Sequence, residues 1–144
     1  MWKELVSPFS GSAEFFQPNN PAAISDAERQ LGLKIPSDLV SCLLESNGVE
    51  GEYGLGLVWP ISRIVTDNLL FWSNADFKEL YMSFNHMLFF ADAGNGDHFF
   101  YPITGNQLAR QDIYVWKHED DSRSWVAPSL EKYLEWLLSG RIVV

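Results

Sequence analysis

The apolar period of this chain changes near residue 86, and that change restricts the fold more than any other feature. Before it, apolar residues recur every three or four positions, as helices require. After it come the short runs "MLFFADA", "HFFYPI", "IYVWKH" and "SWVA", separated by turn residues, as an antiparallel sheet requires. A final stretch returns to helical spacing, with Leu130, Tyr133, Leu134, Leu137 and Leu138 forming one inward stripe between Ser129 and Gly140. Helices on both sides of a run of strands make the chain α+β. We expect a twisted antiparallel sheet flanked by helices, with two short N-terminal helices and a C-terminal one.

Local signals place the early elements. Asn20-Pro21 has the form of an N-cap followed by a first helical residue, Ile24, Ala27 and Leu31 share a face, and Gly32 ends the helix; Ser25 with Glu28 offers a second possible start. "KIPSDLVSCLLESNG" repeats the plan, opening near Ser37 and closing at Asn47-Gly48. "GLGLVWP" predicts a strand ending at Pro60. "ISRIVTDNLLFW" puts Ile61, Ile64, Val65, Asn68, Leu69 and Trp72 on one helical side, and 75–84 predicts another turn or two of helix.

At 144 residues the chain suits one domain spanning 1–144. Its start, "MWKELVSPFSGS", has Glu4 and no apolar core, so a secretory signal is not expected and a cytoplasmic location is. No window approaches the ~20 apolar residues of a membrane span. Cys42 is the single cysteine, which excludes an internal disulfide and a cysteine zinc cluster. Nineteen acids against ten bases give a net charge of −9, a field that repels nucleic acid and attracts basic partners.

The segment "FFADAGNGDHFF" at 89–100 invites three readings. As a calcium loop counted from Asp92, it has Gly94, Gly96 and Ile103 where ligands belong; as a dinucleotide loop, it lacks the third glycine and the helix. What fits is a hairpin with Asn95-Gly96 at the centre of a type I′ turn, pairing Ala93 with His98, Asp92 with Phe99, Phe90 with Tyr101 and Leu88 with Ile103.

Catalytic signatures are missing from the pattern. His86, His98 and His118 have no metal-ligand spacing, "HED" at 118–120 lacks the downstream cysteines of a zinc deaminase, and neither a nucleophile elbow nor a phosphate loop occurs. No catalytic residue, cofactor or metal is therefore expected. An enzyme reading requires His98 or His118 within hydrogen-bond reach of an acid in a closed pocket. The acids are more suggestive: "EDDSR" at 119–123 sets three carboxylates in a loop, and Glu45, Glu50, Glu52, Asp92 and Asp97 also fall at element ends or in loops.

Taken in order, "AERQLGLKIPSDLVSCLLESNG", "WPISRIVTDN", "LFFADAGNGDHFFY" and "IYVWKHEDDSRSWVAPSLEKYLEWL" resemble the SUKH superfamily of small α+β domains, over about 22–139, leaving 1–21 as an individual extension. Glu28, Leu31, Gly32 and Pro36 match its first helix and Leu-Pro segment, with Ile35 in place of Leu. Asn47-Gly48 matches its helix end, with Val49 where a second Gly is common. Ile64 and Asn68 match its middle helix; Gly94, Gly96 and Asp97 its glycine-rich hairpin; Trp116, His118 and Ser129-Leu130 its closing segment. Many members are immunity proteins of bacterial polymorphic toxin systems. The resemblance thus implies a non-enzymatic protein that binds and neutralises a cognate toxin, often a nuclease with a basic domain, without binding nucleic acid or membrane itself. A regulatory adaptor of the same fold is the alternative. On this reading partner binding falls to Asp92, Asp97, Glu119, Asp120 and Asp121, with Trp59 and Trp116 as aromatic anchors.

Overall fold

A computed structural model describes residues 1–103 and 111–144. In chain order the described elements are α1 (Trp2–Val6), β1 (Glu14–Phe15), α2 (Pro21–Leu31), α3 (Ser37–Glu45), β2 (Val49–Glu50), β3 (Gly56–Val58), α4 (Ile61–Ser73), α5 (Ala75–Leu80), β4 (Met87–Asp92), β5 (His98–Pro102), β6 (Ile113–Lys117), β7 (Ser122–Ala127) and α6 (Leu130–Leu138). They form a three-stranded antiparallel sheet, β1-β2-β3, and a four-stranded one, β4-β5-β6-β7. A bond from the Trp59 N–H to the Phe90 carbonyl, 2.7 Å, joins the two. The architecture is α+β, as the change of period predicts.

The helix starts obey local rules. The Asn20 carboxamide accepts from the Ala23 N–H with Pro21 in the first turn, so the alternative start at Ser25 is not used; Gly32 closes α2 at φ 73°. Ser129 caps α6 through the Lys132 N–H. Of the stripe on α6, Leu130, Tyr133 and Leu134 are fully buried, while Leu137 and Leu138 are only half-buried. On α4, Ile61, Ile64, Val65 and Asn68 face the core. Leu69, expected with them, is exposed, because the inward surface drifts past it to Trp72.

The β4–β5 hairpin departs from the expected turn. Ala93 donates to the Asp97 carbonyl at 3.0 Å, so the loop is three residues, Gly94-Asn95-Gly96. The positive φ angles belong to the two glycines, 106° and 91°, and Asn95 is not among the left-handed residues. Glycine takes that conformation at less cost than asparagine, and the chain uses both of its glycines. The Asn95 side chain instead accepts from the Asp97 N–H. The register shifts accordingly: Asp92 lies opposite His98 and Leu88 opposite Tyr101, with a bulge between Phe89 and Ala91.

Both faces of the larger sheet are covered. Phe89, Phe100 and Trp116 pack with Phe71 and Phe84 from the α4–α5 side, whereas Phe90, Phe99 and Tyr101 pack towards Tyr133 of α6. The outer edge of β4 is covered by side chains of α4. Trp72 Nε1 donates to the Met87 carbonyl; Asn68 donates to the Phe89 carbonyl and accepts from the Phe89 N–H at 2.8 and 2.7 Å. A helix here satisfies the backbone groups that a neighbouring strand would otherwise take.

The stretch 1–21 is anchored to this core. Trp2 and Val6 are buried, Trp2 Nε1 donates to Ser41 Oγ, and the Glu45 carboxylate accepts from the Trp2 and Lys3 N–H groups. β1 pairs with β2. Asp38, in the first turn of α3, accepts from the Leu130 N–H and the Tyr101 hydroxyl, tying three elements together. Cys42 is buried in α3, and burial pushes its thiol up to about 12, which leaves it in the unreactive protonated form. Among the described residues no helix is long and apolar enough to cross a membrane.

Candidate partner-binding surface

Three turns stand side by side at one end of the joined sheets. The β2–β3 turn carries Glu52 and Tyr53, the β4–β5 loop carries Gly94 to Gly96, and the β6–β7 turn carries His118 to Asp121. Leu55 lies against Gly94, and the His118 ring lies over Gly96, where a Cβ would come within 3.2 Å of it. Hairpins of an antiparallel sheet bring their tips together whenever their strands have matched lengths, so a row of loops follows directly from the topology.

The carboxylates expected at this rim have two fates. Asp92 makes a bidentate pair with Arg63, 2.8 Å on each arm, and stands 3.4 Å from His98 Nδ1. Burial alone would raise its pKa, but His98 and the Arg63 guanidinium outweigh burial and hold it down to about 2. Asp97 is buried and accepts from the His118 backbone N–H and ring Nδ1, at 3.0 and 2.6 Å. Asp121, in a left-handed conformation at φ 58°, accepts from the Met82 N–H, Trp116 Nε1 and Arg123. These three acids brace the turns from within. Glu119 and Asp120 are exposed; Asp120 accepts from the Ser122 N–H, and neither is in an ion pair among the described residues.

Trp59 and Trp116, expected as anchors, are both buried. Their burial has a structural cause. Trp116 fills the aromatic cluster under α5, while Trp59 lies under the Arg63 guanidinium, 4.0 Å from the ring centre, with His98 edge-on at 5.2 Å. Gly56 makes room for this packing: a Cβ there would fall 2.8 Å from Asp92 Oδ2 and 2.9 Å from Trp59 Cδ1.

The His118–Asp97 pair meets the distance part of the requirement for an acid-base pair. The His118 side chain is 38% exposed at the rim, and neither it nor His98 is hydrogen-bonded to a serine, threonine or cysteine among the described residues. The contact ties the start of the β6–β7 turn to the β4–β5 loop.

Sequence reasoning passed over two residues that dominate this end of the molecule. Tyr53 is fully exposed in a left-handed conformation at φ 58°, and Arg63 organises the acids beneath it. "EGEYGLG" holds the signal for Tyr53, an aromatic residue enclosed by turn glycines where no core can receive it. Arg63 is opaque in sequence, since its partner Asp92 lies on a different element 29 residues away.

No curated protein matches the chain. A family model described as SMI1-KNR4 cell-wall, one of the SUKH set, matches residues 21–134, from the N-cap end of α2 to the centre of α6, and so covers both sheets except β1. With that span and the α+β architecture together, the chain belongs to the SMI1-KNR4 family of the SUKH superfamily.

Proposed function

We infer that this chain is an immunity-type protein, acting in the cytoplasm by occupying a basic toxin, foremost a nuclease domain, and not by turning over a substrate. The observation that carries this reading is the acidic rim. Glu52, Glu119 and Asp120 are exposed on the two turns that flank the β4–β5 loop and have no ion-pair partner among the described residues, on a chain of net charge −9. A nuclease surface is built to receive phosphates, and unpaired carboxylates on a firm rim compete for the same cationic groups. The braces formed by Asp92, Asp97 and Asp121 keep the turns fixed, so little entropy is lost on docking. Membership of the SUKH superfamily supports a toxin-partner role in general.

The test is co-expression with the toxin domain encoded beside this chain's gene, scored by survival, together with association rates across a salt series. Protection by the wild-type chain is expected. A Glu52→Gln, Glu119→Gln, Asp120→Asn variant should associate more slowly and with a flatter salt dependence. No protection by a folded wild-type chain overturns the immunity reading, and binding without protection identifies the adaptor.

A further inference from the structure

An open cleft of about 370 Å³ lies beside the rim, between the β2–β3 turn and the start of α4, with Phe16, Gly54, Val58, Trp59, Pro60 and Arg63 in its walls. Its surroundings combine features that the fold does not use. Phe16 is exposed at one edge, and Tyr53 stands on the turn that forms the other, fully exposed. Glu14 lies directly opposite Glu50 in the β1–β2 pair, a like-charge cross-strand neighbour that weakens a sheet. Neither of them, nor Glu52 on the adjoining turn, has a hydrogen bond or ion pair to a side chain among the described residues. The one cation in the walls, Arg63, is over-matched by two carboxylates, Asp67 and Asp92. In the wall itself, Trp59 Nε1 is buried with no hydrogen-bond acceptor.

We propose that this cleft is the docking site for an extended basic segment of the partner protein, one that places an apolar side chain between Phe16 and Tyr53 and a lysine or arginine against Glu14, Glu50 and Glu52. Charge complementarity selects this occupant. An anionic or purely apolar segment leaves the opposed glutamates unrelieved, whereas a cation between Glu14 and Glu50 turns a repulsive pair into an attractive triad. Exposed tyrosine next to an apolar cleft supplies contact area at little conformational cost, as anchors at interfaces do. The inference rests on the binding function proposed above and assigns the surface that performs it.

The probe is the peptide acetyl-Val-Arg-Leu-Arg-amide, compared with acetyl-Val-Glu-Leu-Glu-amide, each titrated into the isotope-labelled full chain and followed by amide and indole NMR signals. The basic peptide should shift Gly48, Gly54, Gly56 and the Trp59 indole N–H, and the acidic peptide should leave them in place. A Tyr53→Ala, Glu50→Gln variant, altered only at side chains that make no described hydrogen bond, should weaken the basic peptide at least fivefold, with the remaining spectrum unchanged. Equal shifts by both peptides, no shift by either, or shifts confined to the β6–β7 turn overturn the proposal. Survival in the co-expression assay separates the two claims. If the wild-type chain protects and the double variant protects equally, the cleft assignment falls alone. If the wild-type chain gives no protection while the peptide still binds the cleft, the immunity reading falls and the docking site stands.

Discussion

Replacing Asn68 by leucine tests how α4 holds the sheet. Asn68 is wholly buried, and its carboxamide spans a gap that no strand fills, giving Phe89 both an acceptor for its N–H and a donor for its carbonyl. Leucine keeps the same branched outline with a larger volume, so the change removes hydrogen bonds without opening a cavity. Each backbone group of Phe89 then loses its side-chain partner in a dry interior, at a cost of about 1–3 kcal/mol apiece. The additional apolar surface of leucine returns roughly 1 kcal/mol. The expected net loss is about 1–5 kcal/mol, or a fall in Tm on the order of 3–15 °C for a chain this size. Urea unfolding measures the free energy, and hydrogen exchange locates it, since the Phe89 amide should lose protection more than the amides of β6. A loss below about 1 kcal/mol with Phe89 still protected refutes the reasoning, because the backbone would then have found partners without Asn68.

Three further outcomes follow from other parts of the molecule. Tyr53→Gly relieves a left-handed non-glycine residue, worth ~1–2 kcal/mol, and returns ~0.4–1 kcal/mol through a freer unfolded chain, so a small rise in Tm is expected, and a fall would show that the Tyr53 ring stabilises the turn. Asp92, held down to about 2 from an ordinary value of 3.8, contributes stability that is complete above pH 4 and disappears as pH falls towards 2. About 2 kcal/mol should be lost across that window, and Asp92→Asn should flatten this part of the urea-midpoint profile; an equally steep profile in the variant assigns the loss to other carboxylates. Trp2→Ala should cost ~3–5 kcal/mol, because the ring is packed within the core and its Nε1 is bonded to Ser41, and a loss under ~1 kcal/mol would mean that α1 is only loosely attached.

Much of this fold is visible in residues whose meaning is local. Asn20-Pro21, Gly32 and Ser129 act on backbone groups within four positions of themselves, and the helices begin and end where they dictate. The change of period places β4 to β7 for a similar reason, since a short apolar run bounded by turn residues is a property of each strand alone. What escapes are features decided by distant partners. The bulge at Phe90 exists because β4 has to serve β5 on one side and Trp59 and Asn68 on the other. Asp92, Asp97 and Asp121 look like free loop acids until Arg63, His118, Trp116 and Arg123 are brought to them. Trp59 and Trp116 illustrate the same limit: a tryptophan at a strand end has one appearance in sequence whether it is buried or presented. Glu119 and Asp120, which have no distant partner, are where the sequence places them.

The attachment of α6 has a consequence for synthesis. Leu130 is fastened to Asp38, Tyr133 donates to the Leu57 carbonyl, and both closures span long stretches of chain, 92 and 76 residues. A ribosome therefore delivers Leu39, Leu43, Phe90 and Phe99 well before the helix that covers them. Until α6 emerges, one side of the sheet is an open apolar surface, and contacts this distant in sequence also slow the final closure. The nascent chain spends that interval as a species prone to associate, and truncation before residue 130 should leave it permanently so. The helix that completes the core is in this sense also the element that takes this apolar surface out of solvent, and it is made only after the sheet that it covers.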